Sequence, residues 1–305
     1  MSKLLKILAV VAGIMIVIGT IMCTAAVGLG VRNVTTSLNF DFTGGNILSG
    51  SDHLDNVVIS EDLSRADISI SAGKVNIKTG DDFSISANGI VSSQLDYSCS
   101  NSNGIISYGG YAGHEGFSLD KLSELFCSSD SHQVPTIDIT VPSDRLDSFT
   151  LKVGAGQLDL SGISADDISI DVGAGESNIS ELTADNITIR TGIGEADCER
   201  ITAGKALIEC GVGDSHFDDT NLSDATIHCG VGDLSYEGNL FGTSVVDIGL
   251  GDTDFTLEGN PDDYSIKVNP GVGSCYVESS GINSSASNDI VINGGMGSIR
   301  LDFDD

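Results

Sequence analysis

Five acidic residues recur at one position of a repeated pattern, each directly after a Gly-x-Gly. They are Glu176, Glu195, Asp214, Asp233 and Asp252. If the pattern stacks in register, their carboxylates lie about 5 Å apart. Unit charges at a similar distance repel by about 1 kcal/mol even in water. A row of weak calcium sites would offset this repulsion, because calcium prefers carboxylate and carbonyl oxygens. The alternative is that the acids are corner residues that discourage edge-to-edge association of the sheet.

Two pairs of cysteines could form disulfides. Cys210 and Cys229 occupy the same position in two successive repeats, so their Cα atoms should lie about 4.8 Å apart, within the disulfide range. Burial as free thiols fits this position equally well. Cys99 and Cys127 flank an irregular stretch and could close it by a disulfide in an oxidising exterior.

The sequence contains no recognisable catalytic constellation. The five histidines have no metal-ligand spacing, and Gly154-Ala155-Gly156 lacks the third glycine and the helix of a dinucleotide motif. The acids recur in every repeat instead of clustering once, and tryptophan, which often stacks on sugars, is absent. We therefore predict a non-enzymatic protein without a cofactor. A calcium-binding repeat protein is the alternative, and a carbohydrate-active β-helix enzyme is less favoured.

A Gly-x-Gly recurs with a nearly constant period, and this period predicts the architecture. The motifs begin at Gly154 and follow at five identical intervals up to Gly249, and then at two longer intervals, at Gly271 and Gly295. A regular period of about 20 residues or more is typical of solenoids. The glycines allow a positive φ where a Cβ would clash. The predicted corner glycines are Gly154, Gly156, Gly173, Gly175, Gly192, Gly194, Gly211, Gly213, Gly230, Gly232, Gly249 and Gly251.

Apolar residues alternate on both sides of each corner, for example Ile168, Ile170 and Val172 before Gly173. Alternation with a period of two indicates half-buried strands. The fold class is therefore all-β: a single-stranded right- or left-handed β-solenoid with coils of about 19 residues, preceded by one transmembrane helix. The solenoid repeats are predicted over residues 134–305 and the first β coils over 67–87.

The pattern is interrupted between these two parts. Residues 88–133 are predicted to be an insertion with a short amphipathic helix, and residues 31–66 a tether and N-terminal cap. The insertion is the expected partner-binding region because it holds several aromatic side chains. These are Tyr97, Tyr108, Tyr111 and Phe117.

The N-terminus carries the most apolar stretch of the chain. Residues 7–30 contain no charge and are long enough for a transmembrane helix. Lys3 and Lys6 precede this stretch, so the positive-inside rule places residues 1–6 in the cytoplasm and the bulk of the chain outside. The prediction is a single-pass protein of the cell membrane, and a cleaved signal peptide is the alternative. The net charge of −30 excludes nucleic acid as a partner.

The phrase IDITVPSDRLDSFTLKVGAGQLDL (residues 137–160) and the repeated IDVGAG and IECGVG units resemble the bacterial putative-adhesin family with β-strand repeats. The resemblance covers roughly residues 67–305. It implies a domain of unknown function without established catalytic residues, found in many Gram-positive bacteria, with some relatives in cell-envelope stress systems. The expected function is therefore adhesion, or interaction with envelope proteins, membrane proteins or a cell-surface ligand.

Overall fold

The structure is a computed structural model that describes residues 50–60, 62–109, 134–278 and 286–304. Nearly all of these residues lie in one mixed sheet of seventeen strands that winds along the molecule. The strands are β1 (Asp52–Ser60), β2 (Arg65–Gly80), β3 (Phe83–Ile90), β4 (Leu95–Ser100), β5 (Asn103–Tyr108), β6 (Thr136–Pro142), β7 (Leu146–Ser161), β8 (Ser164–Val212), β9 (Ser215–Ser223), β10 (Thr226–Val231), β11 (Leu234–Phe241), β12 (Thr243–Leu250), β13 (Thr253–Glu258), β14 (Tyr264–Asn269), β15 (Cys275–Val277), β16 (Asn288–Asn293) and β17 (Ile299–Asp304). The described helices are two 3₁₀ turns, Ser92–Gln94 and Pro261–Asp263.

The strands stack in parallel with the period that the sequence predicts. Leu151 of β7 pairs with Ile170 of β8, and Ile208 of β8 pairs with Ile227 of β10, in each case one full period later. Each residue therefore lies above its equivalent in the previous coil. The prediction of an all-β solenoid is confirmed.

The core is a set of apolar columns that run the length of the solenoid. Ile168 and Ile170 are almost fully buried before the corner, Ile179 after it, and Leu182 and Ala184 in the last part of the coil. The inward alternation thus changes phase within each coil, so that three short segments enclose the interior. One column contains the stacked rings of Phe217, Tyr236 and Phe255, with centroid separations of 6.2 and 5.8 Å.

Both glycines of a corner lie close to the neighbouring coil, since a Cβ at the first glycine Gly230 would lie 2.3 Å from a carbonyl oxygen there, but only the second has a positive φ. At the second glycine φ lies between +131° and +141° in six successive corners, from Gly156 to Gly251. A Cβ at Gly194 would lie 1.7 Å from the carbonyl oxygen of Gly175 in the coil below. The second glycine is therefore required both for its backbone angle and for the close approach of adjacent coils.

Antiparallel strands cover the N-terminal end of the stack. β5 and β6 pair in parallel with the two halves of β2, so they provide the strands of one further coil. β4 pairs antiparallel with β5, β3 with β6, and β1 with β3. The range predicted as an insertion thus contains β4 and β5, and residues 110–133, including the predicted short helix, lie outside the described residues.

The coils at the C-terminal end do not stack in chain order. β16 pairs on one side with β12 and on the other with β14, and β17 lies in the same way between β13 and β15. The last coil in sequence therefore occupies the space between the two coils that precede it. The two longer intervals between Gly-x-Gly motifs fall in this part of the chain.

The predicted location requires a correction. No helix in the part of the chain that the structure describes is long and apolar enough to cross a bilayer. This finding contradicts the predicted single-pass location with its membrane anchor, and we do not retain that prediction. The stretch 7–30, on which it depended, lies outside the described residues.

Candidate functional site

The middle residues of six Gly-x-Gly corners form an apolar column along one edge of the solenoid. Val212 pairs with Val231, Val231 with Leu250, Leu250 with Met296 and Met296 with Val272. Ile193 precedes Val212 by one period and extends the column by one coil. We call these six residues the apolar ridge. At about 4.8 Å per coil, the ridge is about 24 Å long.

The apolar ridge is accessible to solvent. The exposed fractions are 58% for Ile193, 50% for Val212, 44% for Val231, 66% for Val272 and 38% for Met296. These side chains point outward because the neighbouring glycines turn the backbone at the corner. A continuous exposed apolar surface of this kind typically marks an interaction site, whereas single exposed apolar residues do not.

The five acids of the sequence motif lie beside the apolar ridge, two residues further along each coil. All five are exposed. The backbone N–H of Asp233 donates to Oδ1 of Asp214 over 3.0 Å, that of Asp252 to Oδ1 of Asp233 over 2.8 Å, and that of Ser298 to Oδ1 of Asp252 over 2.7 Å. These three hydrogen bonds join adjacent coils and give Asp214, Asp233 and Asp252 a partner without a cation. The calcium hypothesis for Glu176, Glu195, Asp214, Asp233 and Asp252 stays a prediction.

On the other side of the apolar ridge, an outward column of alternating charge is internally paired. Arg190 contacts Asp171 at 3.6 Å and Glu209 at 2.5 Å, and Nδ1 of His228 lies 3.1 Å from Asp247. The hydrogen bond to Asp247 raises the pKa of His228, and the same bond lowers the pKa of Asp247. We call this column the charge ladder; its members are Asp171, Arg190, Glu209, His228 and Asp247. Its ion pairs stabilise the stack and leave few unpaired groups for a ligand. The apolar ridge, in contrast, has exposed side chains that nothing in the described part of the chain covers.

The aromatic residues predicted to bind a partner do not form one surface. Tyr97 is 39% exposed, whereas Tyr108 is 3% exposed and belongs to the core. The hydroxyl oxygen of Tyr108 accepts a hydrogen bond from the backbone N–H of Val91 over 3.2 Å. Tyr111 and Phe117 lie outside the described residues. The described part of the insertion thus offers one exposed tyrosine.

The cysteines are free thiols in the described residues. Cys210 and Cys229 are direct neighbours in the parallel ladder, as the sequence spacing requires, and neither forms a disulfide in the structure. Burial raises the pKa of Cys229 to about 12 and also raises that of Cys210, which favours the protonated, unreactive form. Cys99 is free, and its predicted partner Cys127 lies outside the described residues.

Sequence reasoning missed the apolar ridge, although its signal is present in the sequence. The middle residues of the motifs are apolar in all eight corners: Ala155, Ala174, Ile193, Val212, Val231, Leu250, Val272 and Met296. A corner position that faces solvent has no structural need for a large apolar side chain, so the repetition from Ile193 onward was the signal that could have revealed the apolar ridge.

Several solved structures are similar to this chain. A putative adhesin from Bacteroides fragilis has a TM-score of 0.46 and 12% identity over 81% of this chain and 95% of that one. A putative cell adhesion protein from Clostridium sporogenes has a TM-score of 0.26 and 14% identity, over 82% of this chain and 98% of that one. A putative lipid binding protein from Parabacteroides distasonis has a TM-score of 0.35 and 12% identity, over 85% of this chain and 98% of that one.

The comparison with protein families is more specific. None of the curated proteins compared with this chain matches it. The profile of one family, described as Toastrack DUF4097, matches residues 64–301, which include almost the whole solenoid. The family resemblance expected from the repeated corner motifs is thereby confirmed, and the chain belongs to the Toastrack DUF4097 family.

Proposed function

We propose that this protein is a non-catalytic, adhesin-like interaction module whose apolar ridge binds a cationic amphipathic segment of another protein. The observation that carries the proposal is the apolar ridge itself: six apolar residues stacked in one continuous column and flanked by exposed acids. A partner segment with an apolar stripe would cover the ridge along several coils.

The charge around the apolar ridge favours a basic partner. Exposed acids flank the ridge on every coil from Glu195 to Asp252, and the whole chain carries a net charge of −30. Lysine or arginine side chains on either side of an apolar stripe would reach these carboxylates, and the long-range field would speed association. An acidic partner or a second copy of this chain would be repelled.

The alternative of a carbohydrate-active enzyme has less support. The polar groove on the N-terminal coils contains Asp138 and Asp159, but both are occupied by amide groups. Asn76 donates to Asp138 over 2.6 Å and Asn178 to Asp159 over 2.7 Å, and Lys74 lies 3.3 Å from Asp159. A glycosidase needs one carboxylic acid and one free carboxylate across the scissile bond, and these paired groups do not offer that arrangement.

The affinity contribution of the apolar ridge can be approximated from its exposure. Covering a half-exposed valine or isoleucine contributes about 1 kcal/mol, so replacing three of them by serine removes about 3 kcal/mol. That loss corresponds to a roughly 100-fold weaker complex.

The experiment measures fluorescence anisotropy of a labelled amphipathic lysine–leucine peptide titrated with the protein. The triple variant Ile193→Ser/Val212→Ser/Val231→Ser should bind roughly 100-fold more weakly. The matched control is Phe241→Ser, because Phe241 is 43% exposed and lies away from the corner. A glutamate–leucine peptide of equal length should not bind. Equal binding of both peptides, or equal loss in the Phe241 variant, would refute the proposal.

A further inference from the structure

The solenoid brings residues that are one period apart in sequence into direct contact, and this juxtaposes three metal-ligating side chains. Asp197 of β8 pairs with His216 of β9, and both side chains point outward. Glu195 precedes Asp197 by two residues and so projects on the same side of the strand. One ligand atom from each of the three side chains lies within 4.8 Å of the other two.

None of these three side chains has another partner among the described residues. The other described histidines are both paired: Nε2 of His53 lies 2.8 Å from Asp55, and Nδ1 of His228 lies 3.1 Å from Asp247. His216 makes neither a hydrogen bond nor an ion pair within the described part of the chain, and the same holds for Glu195 and Asp197. Glu195 differs in this respect from the aspartates of its row, which accept backbone N–H groups of the next coil.

The three ligand atoms lie within 4.8 Å of one another but form no hydrogen bonds with each other, so small movements would bring them around one cation. A hydrogen bond needs a separation of about 3 Å. Two ligands of one tetrahedral zinc ion, each about 2.1 Å from the metal, lie about 3.4 Å apart. Small rotations of the exposed carboxylates would bring the three atoms to that spacing, while the parallel ladder holds the backbones of Asp197 and His216 in place.

We infer that Glu195, Asp197 and His216 form a binding site for a first-row divalent transition metal ion such as zinc. The donor set of one imidazole and two carboxylates suits zinc and its neighbours, whereas calcium takes oxygen ligands alone. Three protein ligands leave one position of a tetrahedral ion open. This inference depends on the ladder geometry and not on the proposed function.

In the test, zinc alone is titrated into the purified full chain. Calorimetry measures the binding, and the histidine C–H resonances in ¹H NMR show which histidine responds. Exposed thiols such as Cys275 are first alkylated, because zinc also binds thiolates. One equivalent of zinc should bind, and the resonance that is missing in His216→Asn should be the one that shifts. Loss of a direct ligand should weaken zinc binding by about tenfold or more.

Two variants separate this site from general attraction of cations to an acidic surface. Asp197→Asn should weaken zinc binding as His216→Asn does, while His228→Asn should leave it unchanged, because His228 is paired with Asp247 in the charge ladder. Melting temperatures of all variants without zinc report whether folding is retained. Zinc binding of equal strength in His216→Asn, or a zinc-dependent shift of another histidine only, would overturn the inference.

Discussion

Replacing Gly194 by alanine tests whether the second corner glycine is required for the stacking of coils. Gly194 has a φ of +138°, and an added Cβ would lie 1.7 Å from the carbonyl oxygen of Gly175. The matched control is Gly259→Ala. Gly259 also has a positive φ, +97°, but a Cβ there would meet no atom within 4 Å. The control therefore contains the backbone strain without the steric clash.

The two substitutions should differ by the free energy of the clash. Backbone strain at a positive φ costs on the order of 1–3 kcal/mol at either position. At Gly194 the neighbouring coil must also retreat by roughly 1.5 Å to reach ordinary contact. That movement leaves one or two buried backbone groups without hydrogen bonds, at about 1–3 kcal/mol each. We expect a total loss of about 4 kcal/mol for Gly194→Ala and about 2 kcal/mol for Gly259→Ala.

Urea denaturation followed by circular dichroism measures both losses. Solenoids do not always unfold in a single step, so the midpoint and the slope of the transition are both compared with those of the unmodified protein. Gly194→Ala should lower the midpoint clearly more than Gly259→Ala. Equal midpoints for the two variants would show that the clash is relieved at no cost, and the argument for close coil contact would then be wrong.

Three further outcomes follow from the described contacts. Tyr236→Phe should lower the free energy of unfolding by about 1–3 kcal/mol, because the buried hydroxyl lies 2.9 Å from the carbonyl oxygens of both Thr220 and Asn239; an unchanged urea midpoint would contradict this role. The pKa of His228 is raised in the folded state, so its stabilising contribution is complete below the unfolded pKa and is lost as the pH rises through the folded pKa. The pKa of Asp247 is lowered, so the contribution of this carboxylate is lost as the pH falls through its folded pKa. His228→Asn should therefore reduce the fall in melting temperature between pH 6 and pH 8, and an identical pH profile would count against the pair. Millimolar calcium should leave the melting temperature unchanged, because the aspartates of the row already accept backbone N–H groups; a rise that is abolished by Asp233→Asn would instead support the calcium row.

The repeat period made the fold predictable from the sequence. A constant interval between corners fixes which residues become neighbours, and the alternation around Ile168 and Ile170 fixes which side faces the core. Cross-coil pairs such as Cys210 and Cys229 follow from the same arithmetic. The corner glycines could be recognised as a set, but the sequence does not show that only the second glycine of each corner has a positive φ.

Other features depend on contacts that no local pattern encodes. The strand Asn103–Tyr108 is not followed by the Gly-x-Gly corner of the later coils, and it gains its place from pairing with the first half of β2. The position of β16 between β12 and β14 requires that two coils with similar apolar patterns exchange places. The cluster of Glu195, Asp197 and His216 matches no metal-ligand spacing known from helices or loops. Its members become neighbours only because the solenoid brings residues of successive coils into contact.

The exchanged order of the last coils has a consequence for synthesis on the ribosome. From β7 to β13 each new coil can add to a finished predecessor as soon as it emerges, so growth is local and directional. The coil of β14 and β15 has no such template, because its neighbour in the stack is made of residues 288–304, which emerge later. The strands β14 and β15 therefore lack their parallel partners until residues 288–304 have been synthesised and have paired with them. Maturation of this end is therefore a single late event, in which two coils are completed at once.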